Sequence, residues 1–326
     1  MTETGRLDRI LALEIARVTE AAAVAAARIR GRGDEWEADQ AAVDAMRTEL
    51  NRLPIDGRIV IGEGERDDAP MLFIGEEVGT KKGGIVDIAL DPLEGTTLCV
   101  KNLPNSLAVI AFAERGSLLN APDVYMDKIA IGPDFEPGLV GLDRSPADNI
   151  EALAQAKGVT PDRISACILD RPRHAKLIAE VRETGAAIQL IGDGDVAGVI
   201  HTTNPHETGV DIYLGVGGAP EGVLAAAALR CIGGQMEGRL VLDTPEKIDR
   251  ARRMGISDPQ EIYKLDDLAK GDVIFAATGV TSGNMLDGVK FSPGRIDTHT
   301  VVMRSSSGTI REIRARHTDL AKFERP

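Results

Sequence analysis

Apolar side chains recur at helical intervals along the start of the chain. Leu7, Ile10, Leu11, Ile15 and Val18, set among many alanines, predict an amphipathic helix over 6–30. Gly31-Arg32-Gly33 stops it, because glycine accepts the left-handed turn that closes a helix. Ala41, Ala42, Val43, Ala45, Met46 and Leu50 predict a second helix over about 38–52, with Asp39 in its first turn. The period then shortens. Gly57-Arg58-Ile59-Val60-Ile61 reads as a short strand, and Val86-Asp87-Ile88-Ala89-Leu90 as a buried one, since Ile and Val suit a pleated surface. Pro92 is expected to end that strand by withdrawing a ladder donor. Residues 105–112 and 124–131 read as further strands.

The second half alternates. Ser145-Pro146 opens a helix over 145–157. Strands at 164–169, 188–191 and 210–214 are each followed by a loop and a helix. Those helices fall at 174–184, just after Asp195, and at 220–232. This alternation predicts a largely parallel sheet covered by helices, an α/β class with α+β character in the first half. Ligands of such sheets bind beyond the carboxyl ends of the strands. The three exit loops, Asp170–His174, Gly192–Asp195 and Gly215–Gly222, should therefore line one crevice. Toward the C-terminus we expect a helix near 245–254, a strand at 273–277 and a polar loop at 278–284. Strands at 298–304 and 309–315 should pair as a hairpin across Ser305–Gly308. The change of pattern around 140–160 suggests a break between an α+β half, 1–150, and an α/β half, 151–326; metal binding is expected of the first and substrate binding of the second from their acids and exit loops.

Composition narrows the partners. The 326 residues are 43% hydrophobic, enough for a full core. No apolar run reaches the ~18 residues of a membrane span, and the charged start MTETGRLDRI lacks a signal core, so a cytoplasmic protein is expected. Cys99, Cys167 and Cys231 are far apart and read as reduced core residues. A net charge of −13 argues against nucleic acid or an anionic membrane as partner. A phosphorylated substrate stays compatible if cations are local, as metals on carboxylates and as basic side chains at the ligand's other end.

The acids lie where such metals would be held. The acidic glycine-bearing loop 62–70 follows one strand, and Asp91 and Glu94 follow the next. If the two strands are neighbours, both acidic ends meet at one edge. Glu221 opens a later helix, and Asp39 sits near the start of an early one. Two carboxylates ~5 Å apart repel by roughly 3 kcal/mol at an effective dielectric of about 20. Either some take a proton, as in an acid dyad, or divalent cations sit among them. An all-oxygen set suits Mg²⁺ or Mn²⁺ rather than zinc. Such ions polarise a phosphate and acidify water, whereas glycoside hydrolysis needs only two acids. Thr96 either holds the attacking water or merely braces a turn, and Thr97 has a weaker version of the same claim. Arg171, Arg173 and His174 offer donors to a phosphate. Asp193 and Asp195 either bind sugar hydroxyls or form a solvated turn. Gly215–Gly218 offers backbone N–H groups at a helix start. Tyr125 either touches the ligand or is an ordinary strand aromatic.

Asp91-Pro92-Leu93-Glu94-Gly95-Thr96 resembles the metal-binding signature of the lithium-sensitive phosphatase superfamily. Glu at its fourth place resembles the class II fructose-1,6-bisphosphatases. The blocks IGEGERD, DPLEGTT, DRPRH, GDGD and GGAPEG follow in that family's order, within a likeness running from Gly31-Arg32-Gly33-Asp34 to Thr278-Gly279-Val280-Thr281. The resemblance implies a layered α-β-α-β-α sandwich. It implies hydrolysis of the 1-phosphate of fructose 1,6-bisphosphate with Mg²⁺ or Mn²⁺, a reaction of gluconeogenesis, and in some members of sedoheptulose 1,7-bisphosphate. Implied metal ligands are Asp39, Glu63, Asp91, Glu94 and Glu221, with Thr96, Asp91 and Glu94 catalytic. Implied substrate contacts are Glu94, Gly95 and Thr96, Tyr125, Arg171, Pro172 and Arg173, Asp193, Gly194 and Asp195, and Gly218. A homo-oligomer, dimer or tetramer, is expected. Many relatives carry Lys directly after Gly-Arg-Gly-Asp, where this chain has Glu35. Three other readings stay open. An inositol-monophosphate-type phosphatase is disfavoured by the paired Arg171 and Arg173. A dinucleotide-dependent oxidoreductase would rest on the glycine cluster alone. A sugar-phosphate or metal-binding module would bind without turnover.

Overall fold

The computed structural model describes residues 7–64 and 71–324. Residues 65–70 of the acidic loop, and the start MTETGR, lie outside them. The chain folds as two compact units. The first is made of residues 1–119 and 270–326, the second of 120–269. These units are not the halves 1–150 and 151–326, because the C-terminal strands return to the first unit's sheet.

The first unit opens with α1 (Leu11–Ala27), α2 (Glu35–Leu50), β1 (Ile55–Ile61), β2 (Glu77–Val78), β3 (Gly84–Glu94), α3 (Thr96–Val100) and β4 (Leu107–Glu114). The second contains β5 (Tyr125–Ile131), α4 (Pro146–Lys157), β6 (Ser165–Leu169), α5 (Ala175–Glu183), β7 (Ala187–Ile191) and α6 (Asp195–His201). It continues through α7 (Pro205–Thr208), β8 (Ile212–Gly218), α8 (Ala219–Ile232), β9 (Gln235–Leu240), α9 (Pro245–Arg253), β10 (Ile262–Lys264) and α10 (Leu265–Leu268). The chain returns as β11 (Val273–Gly279), β12 (Lys290–Ser292), β13 (Arg295–Arg304) and β14 (Thr309–His317).

Among the described residues the first unit has an eight-stranded mixed sheet in the order β12-β13-β11-β4-β3-β1-β2, with β14 on β13. Val86, Ile88 and Leu90 of β3 alternate toward a core shared with Ile15, Val18, Met46 and Leu50 of α1 and α2. β1 runs parallel to β3, so both strands release their carboxyl ends at the same edge. The predicted hairpin forms between β13 and β14. Two local expectations need correction. Asp34, whose carboxylate accepts the Glu37 N–H at 2.9 Å, caps α2 earlier than expected, so Asp39 lies beyond the first turn. Pro92 does not end β3. Asp91 pairs with Val109 and Glu94 with Leu107, so three steps along β3 match two along β4. Pro92 sits in that bulge, where a ladder donor is not required.

The second unit's sheet has the order β10-β9-β5-β8-β6-β7. Here β6, β7 and β8 are parallel, but β5 is antiparallel to both β8 and β9. The sheet is therefore mixed rather than largely parallel, because the α8 crossover leaves a place one strand wide and β5 fills it. Ile129, Ile131, Ile212 and Leu214 face Ile150, Leu153 and Val181 of α4 and α5. The alternate residues point the other way. A Cβ at Gly198 of α6 would touch Cys167 Sγ at 3.2 Å, and one at Gly222 of α8 would touch Lys128 Cδ at 3.3 Å. Gly215–Gly218 is also not a loop: it is the end of β8, with Tyr125 opposite Gly218 and Lys128 opposite Gly215.

Candidate active site

In the first unit, the parallel pairing sets Glu63 just past β1 and Asp91 to Glu94 at the end of β3. One carboxylate oxygen of Asp91 and one of Glu94 lie within 4.8 Å of each other. At an effective dielectric of about 20 two charges at that distance repel by roughly 3 kcal/mol. Backbone geometry holds them there. Asp91 Oδ1 accepts the Leu93 N–H at 3.0 Å, and the Ser106 hydroxyl donates to the Glu94 carbonyl at 3.2 Å. Gly95 turns the chain from β3 into α3 at φ 76°, a left-handed position where a Cβ would also press on Leu98. Asp39 and Glu63 share a side-chain hydrogen bond, and burial raises the Asp39 carboxyl above its ordinary value against that bond's lowering effect. Carboxyl groups crowded in this way suit a proton or a hard divalent cation between them, and their all-oxygen donors fit Mg²⁺ or Mn²⁺.

The two threonines part company. The Thr96 hydroxyl donates to the Leu93 carbonyl at 3.0 Å, which fixes its oxygen at the mouth of the turn. The Thr97 hydroxyl donates instead to Glu35 Oε1 at 2.9 Å, tying α3 to the start of α2. Glu35 therefore has a bracing contact, and Thr97's claim to hold water yields to that brace.

The second unit gathers the three exit segments as the parallel strands require. Arg173 donates from Nε and Nη2 to the Val216 carbonyl at 3.0 and 2.7 Å, and its guanidinium lies 4.6 Å from the centre of the Tyr125 ring. Arg171 Nη2 lies 3.8 Å from Asp193 Oδ1. Pro172 opens the short 3₁₀ turn that carries Arg173. His174 is not a phosphate donor. It is buried, its Nδ1–H donates to the Leu169 carbonyl at 2.7 Å, and its Nε2 accepts the Val216 N–H at 2.8 Å. Burial lowers its pKa, so the neutral ring is a tether between the ends of β6 and β8. Gly194, at φ 81°, delivers Asp195 into the first turn of α6. Glu221 lies in the first turn of α8, close enough to Gly218 that any Cβ there would strike its carboxylate.

One residue of this unit was missed in the sequence. Lys128 is 1% exposed and donates to Asp195 Oδ2 at 2.5 Å and to the Gly218 carbonyl at 2.8 Å. Its signal was a lysine between Met126 and Ala130 on the buried face of a strand. Two hollows, of about 620 Å³ beside Arg230 and Glu237 and about 410 Å³ beside Asp287 and His299, share no lining with these side chains. Among the described residues no helix is long and apolar enough to cross a membrane.

Carboxylates crowded at a strand end of a mixed α/β chain are equipment suited to a phosphoric monoester hydrolase, and the comparisons put this chain in that class. A family model described as bacterial fructose-1,6-bisphosphatase, glpX-encoded, matches residues 9–317, and the chain belongs to that family. A protein of Synechococcus elongatus named D-fructose 1,6-bisphosphatase class 2/sedoheptulose 1,7-bisphosphatase is 42% identical over 341 residues, 95% of this chain and 97% of that protein. A protein of the same name from another Synechococcus strain is 43% identical over 337 residues, 95% of this chain and 96% of its own.

Proposed function

We propose that this protein hydrolyses the 1-phosphate of fructose 1,6-bisphosphate to give fructose 6-phosphate and inorganic phosphate, and that sedoheptulose 1,7-bisphosphate is its second substrate. The observation that carries this reading is the parallel β1–β3 pair, which sets Glu63, Asp91 and Glu94 at one sheet edge in a chain of this family. Asp39, Glu63, Asp91, Glu94 and Glu221 are the proposed ligands of Mn²⁺ or Mg²⁺, which supplies polarisation of the phosphoryl group and acidified water. Thr96, its proton engaged on Leu93, accepts a hydrogen bond from the attacking water and aims it. Asp91 and Glu94 act at the reacting phosphate as ligands, and Gly95 lets Thr96 and Glu94 share one turn.

The distal phosphate and the sugar have their own proposed contacts. Arg171 and Arg173 take the distal phosphate, with Pro172 fixing the turn between them. Tyr125, Asp193, Gly194, Asp195 and Gly218 take the sugar. A cytoplasmic place in gluconeogenesis and assembly as a dimer or tetramer complete the proposal.

The test is a matrix of metals against substrates on purified protein. Expected is phosphate release from fructose 1,6-bisphosphate with Mn²⁺ or Mg²⁺ that stops on addition of chelator. Absence of release with every metal, or a faster rate on inositol monophosphate, overturns the reading.

A further inference from the structure

We propose that Lys128 is a positioning residue for the sugar end of the substrate, locking Asp195 and Gly218 into one fixed arrangement; the proposal rests on the sugar-binding role given to those two residues. Lys128 stands in the middle of β5 and is 1% exposed. A buried ammonium costs several kcal/mol of lost hydration unless it is met by opposite charge and good hydrogen bonds. It meets both here. One contact reaches the Asp195 carboxylate, in the first turn of α6, and the other the Gly218 carbonyl, at the N-terminal cap of α8. A single side chain therefore ties the starts of two helices that follow different strands.

The Tyr213 hydroxyl donates to the same Asp195 oxygen, Oδ2, at 3.2 Å. Two protein donors on one oxygen fix the plane of the carboxylate, and Oδ1 is thereby aimed as the acceptor for a sugar hydroxyl. The neighbouring backbone is shaped around this pair. A Cβ at Gly217 would collide with Asp195 Oδ2 and come within 2.9 Å of Lys128 Nζ. An ion pair kept only for stability has no need of such close backbone approach, and an apolar isostere replaces it at little cost.

The experiment compares Lys128→Met, Asp195→Asn and the double variant by steady-state phosphate release, with circular dichroism and melting curves to confirm folding. Lys128→Met should raise KM for fructose 1,6-bisphosphate about tenfold or more while kcat stays within about threefold, the pattern of lost binding that is equal in ground and transition states. If Lys128 acts through Asp195, the double variant is no worse than the more damaged single one. Additive losses, an unchanged KM in folded Lys128→Met, or a fall in kcat alone would overturn the proposal. Should Lys128→Met fail to fold, Gly217→Ala keeps both charges and displaces Asp195. It should raise KM similarly, and an unchanged KM there sinks the idea as well. The two proposals fail separately: a wild-type protein inactive on the bisphosphate refutes the assigned reaction, whereas an active wild type with an unaltered Lys128→Met refutes only this one.

Discussion

The acids around Asp91 in the first unit and those around Asp195 in the second are held in opposite ways. In the first, carboxyl faces carboxyl: Asp39 shares a hydrogen bond with Glu63, and Asp91 lies within 4.8 Å of Glu94. In the second, carboxylates meet cations of the chain itself: Asp195 meets Lys128, Asp193 meets Arg171, and Asp211 meets Lys157. An acid with a resident cation is a fixed acceptor, ready to orient a hydroxyl. An acid close to another acid carries a repulsion that a proton or a cation between them relieves. On the proposed function, the difference separates carboxylates meant to hold metal from a carboxylate meant to receive a sugar hydroxyl.

The largest effect expected comes from neutralising one of the facing acids. Asp91→Asn keeps an oxygen for the Leu93 N–H but removes a charge. Phosphate release should fall by about a thousandfold or more if a metal ligand is lost. In chelator the same variant should melt at or a few degrees above the wild type, since a repulsion of roughly 3 kcal/mol is relieved. Retained activity, or a lower melting temperature in chelator, breaks the contrast. Thr96→Ala comes next. It should lower kcat about a hundredfold, the order of loss expected when an attacking water is no longer aimed, with KM little changed. A variant that keeps most of its rate would return Thr96 to bracing the Leu93 carbonyl.

Where the candidate residues lie was largely legible in the sequence, because they follow strand exits. The order of strand, acidic loop, strand and acidic turn indicated a shared edge, and the β1–β3 pairing supplies one. The alternation around Asp170–His174 and Gly192–Asp195 likewise gave neighbouring exits, since β6, β7 and β8 are parallel and adjacent. What was not legible depends on non-local pairing. Nothing local announces that β5 will slip between β8 and β9, or that Gly215–Gly218 will be held as strand opposite it. The bulge that carries β3 through Pro92 is set by β4, not by the proline's own preference. The division into units was hidden because residues 270–326 return to the first sheet. His174 resembled a phosphate donor beside two arginines, and only its burial and its two backbone partners make it a tether.

A smaller effect tests the receiving side. Arg173→Ala removes a guanidinium that the Val216 carbonyl and the Tyr125 ring hold in place. KM for the bisphosphate should rise about tenfold, the worth of a charge-assisted phosphate contact, with kcat changed less. Arg173→Lys should recover only part of the loss, because an ammonium cannot reproduce the fork. A fall in kcat at constant KM would instead assign chemistry to the second unit and erase the division of labour.

The smallest effect separates the first unit's site from its scaffold. His317 at the end of β14 is held down at about 4 from an ordinary value of 6.5, by burial first and then by the Lys322 ammonium, with Asp297 opposing. The geometry explains the direction. Lys322 Nζ lies 2.8 Å from Nδ1, so Nδ1 accepts and Nε2–H donates to Thr298 Oγ1 at 2.9 Å, whose hydroxyl donates to Glu20 Oε1 at 3.0 Å. A proton added at Nδ1 would face the ammonium. Between pH 6.5 and about 4 the unfolded chain therefore binds a proton that the folded one refuses. The contribution to stability is full above pH 6.5 and falls as pH drops through that window. Glu20, raised by burial, works the other way, because the folded protein keeps its proton to higher pH. The informative quantity is thus the difference between wild type and His317→Gln, measured as melting temperature against pH in chelator. The wild type should lose a few degrees more than the variant across the window. Parallel curves would mean that the acid sensitivity of this unit comes from elsewhere, and the facing carboxylates would be the first groups to question.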